Sequence, residues 1–143
     1  MIALGCDSAG FELMQTIKNH LNRAGIAYKC FGAQNDEASD YPIFAQVAAK
    51  AVLNGECDKG ILICGTGIGI SIAANRFDGI RCALCHDVFS AKATRLHNDS
   101  NMLAMGGRVI GKGLACEIVD AWFGTDFSRE ERHQRRIDMI ETR

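Results

Sequence analysis

With 143 residues, 48% apolar and 23% charged, the chain has the makeup of one globular domain large enough to bury a core. Its formal net charge of −1 argues against bulk attraction to nucleic acid or an anionic membrane, and no apolar run approaches the roughly 20 residues that span a bilayer. Met1 to Gly5 lacks a basic signal region, and seven cysteines, an odd number, read as reduced thiols of a cytoplasmic protein.

Ile2 to Cys6 is a short apolar run stopping at Asp7 and predicts a first strand. Leu13, Ile17 and Leu21 recur at helical spacing, and Gly25 predicts the stop. Ile26 to Phe31 reads as a second strand. The polar stretch Gly32 to Asp40 leads to Pro42, expected at the first position of a helix that reaches about Asn54. Gly60 to Cys64 predicts a third strand, followed at once by a glycine-rich turn and a helix-like segment through Asn75. Ile80 to Cys85 predicts a fourth strand, and Asp87 can cap a helix to about Leu96. Asn101 to Met105 is the fifth strand, Gly111 to Phe123 a helix, and Glu130 to Glu141 the last helix. No linker or repeat interrupts this pattern, so residues 1–143 are expected to form a single domain.

Five strands alternating with helices predict a parallel sheet covered on both faces. Ligands of such sheets sit beyond the carboxyl ends of the strands. The polar residues at those ends are Asp7, Cys64-Gly65-Thr66, His86-Asp87 and Gly106-Gly107-Arg108; His97-Asn98-Asp99 lies just before strand five.

The densest chemistry lies in Ile61 to Ser71, where an apolar run ends in Cys64 and the turn Gly65-Thr66-Gly67-Ile68-Gly69 opens into a helix. The first amides of a helix have no intrahelical acceptor and sit at the positive end of the macrodipole, so they attract anions. A thiolate is favoured over a thiol in the same field. The turn is not a dinucleotide fingerprint, because Gly65, Gly67 and Gly69 simply alternate, and it is not a P-loop, because no Gly-Lys-Ser/Thr follows. A small oxyanion suits it better than a nucleotide. The plainer reading, a buried strand cysteine, is expected to cover Cys6, Cys30, Cys57, Cys82, Cys85 and Cys116.

Other features have plain readings beside their functional ones. Cys82-Ala83-Leu84-Cys85-His86 matches the C-x-x-C-H haem pattern but reads as a buried strand whose two cysteines face opposite sides. His97, taken alone, is a surface or capping histidine; in a shared cleft with Asp7 and Thr66 it becomes a general acid/base. His20 and His133 read as helix-surface histidines. Arg132 and Arg136, four apart on one helix face, are either part of a solvated charged face with Glu130, Glu131 and Asp138 or a phosphate clamp.

At these residues the chain resembles the type B ribose-5-phosphate isomerases and the related galactose-6-phosphate isomerase subunits. The resemblance is carried by Gly5-Cys6-Asp7, Ser39-Asp40-Tyr41-Pro42, Ile61 through Gly69, Ala73-Ala74-Asn75, His97-Asn98-Asp99, Gly106-Gly107-Arg108 and Arg132 through Arg136, which keep the family's order over nearly the whole chain. It implies a Rossmann-like three-layer α/β/α sandwich that works as a homodimer or tetramer, with active sites at the subunit interface and the last helix, about 130–141, contributing to the dimer. It also implies aldose–ketose isomerisation of a phosphorylated sugar without metal or organic cofactor. By that resemblance Cys64 is the base between C1 and C2. Gly65, Gly67, Ile68, Gly69, Ile70 and Ser71 form the turn that holds the enediolate oxygens. His97, helped by Asp7 and Thr66, opens the ring; Asn98 contacts hydroxyls; Arg108, Arg132 and Arg136 hold the phosphate.

One position departs from the family: the histidine that usually follows the aspartate is Ser8 here. Serine is short and uncharged, so it offers at most a neutral hydrogen bond to that end of the substrate. Ribose 5-phosphate is the expected substrate, with other sugar phosphates of four to six carbons as the alternative. Two further classes compete: a non-catalytic sugar-phosphate-binding subunit, opposed by the intact Cys64, Thr66 and His97, and a thiol redox protein, opposed by the lack of a C-x-x-C at a helix start.

Overall fold

The computed structural model of the chain describes residues 1–142; the last residue of the expected domain, Arg143, lies outside them. Five strands, β1 (Ile2–Cys6), β2 (Tyr28–Cys30), β3 (Lys59–Cys64), β4 (Cys82–Leu84) and β5 (Met102–Gly106), pair in the order β2-β1-β3-β5-β4, every pairing parallel. The connecting helices are α1 (Phe11–Arg23), α2 (Tyr41–Leu53), α3 (Ile68–Ala74), α4 (Val88–Asn98) and α5 (Lys112–Phe123), with α6 (Glu131–Glu141) closing the chain. This is the Rossmann-like three-layer arrangement.

Alternation along the central strands divides the core. Leu4 and Cys6, Ile61 and Ile63, Leu103 and Met105 face one side with Leu13, Met14 and Ile17 of α1 and Ile118 and Trp122 of α5. Ala3, Leu62 and Cys64, Met102 and Ala104 face the other, beneath Ala45, Ala48 and Ala49 of α2 and Ile70 and Ala74 of α3. A strand's period of two puts successive side chains on opposite faces, so both faces of these strands must be apolar when helices cover both. Cys82 packs in the second cluster and Cys85 in the first, the opposite facing expected of that pair.

The predicted ends hold where local chemistry sets them. Gly25, at φ 70°, follows α1; its N–H donates to Asn22 O (3.1 Å) and Ile26 N–H to Leu21 O (3.0 Å), a Schellman stop. Asp87 caps α4, its carboxylate accepting from Ser90 N–H at 2.6 Å. Pro42 stands one position further in than expected, because α2 starts at Tyr41; its missing N–H still costs nothing in a first turn. Strands β2 and β4 are shorter than predicted because each is an edge strand, paired on one side only. Helix α4 runs two residues past Leu96, which brings His97 and Asn98 into its last turn.

The open edge of β4 is partly covered by a side chain. Asn75 Nδ2 donates to Cys82 O (2.9 Å) and Asn75 Oδ1 accepts from Cys82 N–H (2.8 Å), imitating a neighbouring strand. Unpaired edges invite association with other chains. Replacing Asn75 with Ala should lower unfolding free energy by about 1–3 kcal/mol and increase self-association. Urea unfolding followed with light scattering checks this, and an unchanged midpoint would contradict it.

Candidate active site

The order β2-β1-β3-β5-β4 reverses direction between β1 and β3, and a crevice opens beyond the carboxyl ends of strands at such a switch. Asp7 follows β1 and Cys64 closes β3, so the two flank this point. Asp7 is buried, and its Oδ1 accepts from Gly10 N–H (3.0 Å), which shapes the turn into α1. Cys64 is 4% exposed. Gly67 N–H donates to its Sγ at 3.1 Å and Gly107 N–H to its carbonyl at 2.8 Å.

Gly67 makes this geometry. It caps α3 at φ 76°, and a Cβ there would stand 2.7 Å from the Met105 carbonyl carbon. A residue with a side chain would strain the backbone and collide with β5. Within the turn, Ile68 N–H donates to Thr66 Oγ1 (3.2 Å) and the helical ladder begins with Ser71 N–H to Gly67 O (3.2 Å). Among the described residues, the amides of Gly69 and Ile70 find no acceptor. Ser71 Oγ donates to Ile68 O at 2.7 Å, so the serine stabilises the turn through its hydroxyl.

Further groups close on the same edge. Arg108 N–H donates to Gly65 O (2.9 Å), and its Nη1 lies 3.3 Å from where a Cβ on Gly65 would stand. Gly106 N–H donates to His86 Nε2 at 3.0 Å, which occupies that nitrogen. Two residues without an assigned role in the sequence also belong here. Ser39 Oγ accepts from Ser8 N–H (3.1 Å), drawing the 32–40 loop to the edge. The Tyr41 ring lies against Gly69, where a Cβ would be 2.5 Å from its Cζ. Their only signal was their place in the Ser39-Asp40-Tyr41-Pro42 run.

His97 is elsewhere. A helix that connects parallel strands must carry the chain back to the amino edge. Arg81, just before β4, donates from Nε to Asn98 O (2.8 Å) and from Nη2 to Asp99 O (2.9 Å), so His97-Asn98-Asp99 sits at the amino edge. At about 3.3 Å per residue along β3, the two edges are about 16 Å apart. The expected cleft shared by His97, Asp7 and Thr66 is therefore not formed within one chain.

At that second edge His133 is buried, not the surface histidine expected. The cause is α6, which turns His133 and Ile137 inward. The His133 ring lies 4.6 Å from that of His97, tilted by 43°, and its Nδ1 is 2.6 Å from Ser128 Oγ. Burial holds the His133 pKa below its ordinary value; Glu130 opposes this, while His97, Arg132 and Arg136 reinforce it. Arg132 and Arg136 are thus in electrostatic reach of His133, and both are exposed. Arg132 Nε also meets Glu130 Oε2 at 3.0 Å, so the charged-face reading is partly realised. His20 conforms to its plain reading and pairs with Asp120 at 2.6 Å.

Most other cysteines match their structural reading. Burial pushes Cys6 up to about 12 and Cys85 up to about 11, and raises Cys82, Cys57 and Cys116. Cys30 departs from that reading by lying exposed on β2, and Cys116 by lying only partly buried on α5.

The ribose/galactose isomerase family model matches residues 2–140, and the chain belongs to that family. It is 50% identical to ribose-5-phosphate isomerase B of Escherichia coli K12 over 139 residues, covering 97% of this chain and 93% of that protein. It is 43% identical to the D-erythrulose-4-phosphate isomerase of Pectobacterium atrosepticum over 129 residues, 88% of this chain and 84% of that one. Among solved structures, ribose-5-phosphate isomerase B of Clostridium thermocellum superposes with a TM-score of 0.96 at 46% identity, covering 98% of this chain and 94% of the other.

The His133 environment carries a pH dependence. Its folded pKa is depressed, so between that value and the unfolded value of about 6.5 the unfolded chain holds a proton that the folded chain does not. This contribution to stability is present at neutral pH and lost as pH falls below about 6.5. Urea midpoints measured from about pH 7 to about pH 5 should fall more steeply for the native chain than for His133→Gln; equal slopes would contradict the assignment.

Proposed function

We propose that this chain interconverts ribose 5-phosphate and ribulose 5-phosphate through ring opening and a cis-enediolate. The observation that carries this is Cys64, a sulfur at the switch point held by the Gly67 amide inside a turn with two open amides. Cys64 removes the proton from C2 of the open aldose; the electron pair forms the C1–C2 double bond as the carbonyl electrons move onto O1, the O2 hydroxyl proton passes to O1, and the Cys64 thiol, whose proton can exchange with solvent, delivers a proton to C1. The enediolate oxygen that gains charge lies against the backbone N–H groups of the Gly65–Ser71 turn, donors that need no reorganisation as charge develops. His97, with Asp7 and Thr66, moves the protons of ring opening. Asn98 holds hydroxyls, and Arg108, Arg132 and Arg136 hold the phosphate, which guanidinium forks suit.

Such a site needs groups from both edges of the sheet, so we assign it to two copies of the chain. The Cys64 edge of one copy receives His97, Asn98, Arg132 and Arg136 of another, and a twofold axis builds two equal sites in a homodimer. Ile68 and Ile72 of α3 and Phe89 of α4, helices that start at the Cys64 edge, are 51%, 60% and 80% exposed and supply apolar surface for that contact. Helix α6 contributes to the same contact through its arginines.

Ser8 favours a second reading on the same chemistry. Where the family usually offers a histidine, this chain offers a short neutral side chain, and a four-carbon substrate is the alternative. That this chain is 43% identical to a D-erythrulose-4-phosphate isomerase supports keeping it.

A panel of four-, five- and six-carbon aldose and ketose phosphates, assayed for isomerisation and for C2 deuterium exchange, tests the proposal. Ribose 5-phosphate should be the best substrate, and Cys64→Ala should lower its turnover by about 10³-fold, within the range for a lost general base, while circular dichroism stays unchanged. Arg136→Ala should act mainly on KM. Near-normal turnover by Cys64→Ala would overturn the mechanism, and turnover of the unphosphorylated sugar equal to that of its phosphate would overturn the clamp.

A further inference from the structure

We infer that Arg81 is a positioning residue: its guanidinium fixes the turn bearing His97 and Asn98 against the far end of the helix bearing Arg132 and Arg136. The inference rests on the site proposed above. Every edge of the guanidinium faces a protein acceptor: Nε to Asn98 O at 2.8 Å, Nη2 to Asp99 O at 2.9 Å, and Nη1 to Glu141 Oε1 at 2.6 Å.

The turn needs such a partner. The last carbonyls of α4 have no intrahelical donor, and the negative end of its dipole favours a cation. Asp99 leaves the helix in the left-handed region at φ 44°, uncommon for a residue with a side chain. Arg81 satisfies the carbonyls on either side of that bend.

Arg81 is itself held at both ends. Its N–H donates to Asn101 Oδ1 (2.9 Å), while Asn101 Nδ2 donates to Gly79 O (2.7 Å). Glu141 uses its second oxygen to accept from Gly79 N–H (3.2 Å), so the carboxylate is pinned to the same segment. Helix α6 buries only His133 and Ile137. One of its ends meets the His97 turn through the His133 ring, and the other meets it through the Arg81–Glu141 pair. The spacing between the ring-opening histidine and the two arginines thus depends on a three-pronged contact that lysine, with one ammonium, cannot reproduce.

The test compares Arg81→Lys and Glu141→Gln with His97→Ala and Arg136→Ala as controls, in the full-length chain. Two readouts separate positioning from general weakening. Ribose 5-phosphate is a furanose and needs ring opening. Ribulose 5-phosphate, whose O5 is esterified, is open-chain, and its C1 proton exchange with deuterated water needs the enediolate step alone. Arg81→Lys should lower kcat/KM on ribose 5-phosphate by about 10-fold or more, within the cost of an ångström-scale displacement. It should slow exchange from ribulose 5-phosphate several-fold less, and Glu141→Gln should show a smaller loss with the same bias. Equal losses in both reactions, or none while both controls are impaired, would overturn the inference. Controls that retain full activity would overturn the underlying site as well.

Discussion

The constraint on which this molecule depends is the directionality of a parallel sheet. Each strand ends at one edge, and the next can begin only after a helix has returned the chain to the other. Residues that follow strands therefore gather at the carboxyl edge, and residues that end helices gather at the amino edge. Asp7, Cys64, Thr66 and Arg108 fall in the first group, and His97 and Asn98 in the second. No side-chain rearrangement bridges about 16 Å of β-strand. A chemistry that uses both groups would have to draw them from two copies of the chain, which is the reason for the two-copy site proposed above.

Within the carboxyl edge the reactive geometry is set by backbone more than by side chains. Gly67 turns the chain through a left-handed conformation hard against Met105, and only glycine can take that path. The turn aims one amide at the Cys64 sulfur and leaves those of Gly69 and Ile70 open. The Arg108 and Gly107 amides tie the turn to the neighbouring strand end through Gly65 and Cys64 carbonyls, so its shape is supported by the sheet. At the amino edge side chains do the equivalent task. Arg81 and His133 hold the His97 turn from below and beside, and burial keeps His133 from protonating readily.

Much of this was legible in the sequence because the signals are local. Short unbroken apolar runs, Gly25 after α1, and Asp87 before α4 each name an element or its end. The Cys64 turn announced itself by composition. What the sequence did not reveal is relational. The burial of His133 depends on how α6 lies against α4, and nothing within the run Arg132 to Arg136 distinguishes an inward histidine from an outward one. The place of His97 stayed open in the sequence because its neighbours in the chain say nothing about sheet edges; the direction of α4 decides it. Ser39 reaches the site from a loop tied to the sheet edge by Ala33 N–H to Cys6 O and Ser8 N–H to Ser39 Oγ, and Tyr41 from the start of α2, its ring against Gly69.

Complementation between two inactive variants shows directly whether one site draws on two copies of the chain. Inactive Cys64→Ala and His97→Ala proteins can be unfolded together, refolded as a mixture and assayed with ribose 5-phosphate. Each mixed dimer would hold one site with native Cys64 and native His97, so random pairing should restore about a quarter of native activity. A mixture that stays as inactive as its components, while light scattering shows dimers, would contradict the account.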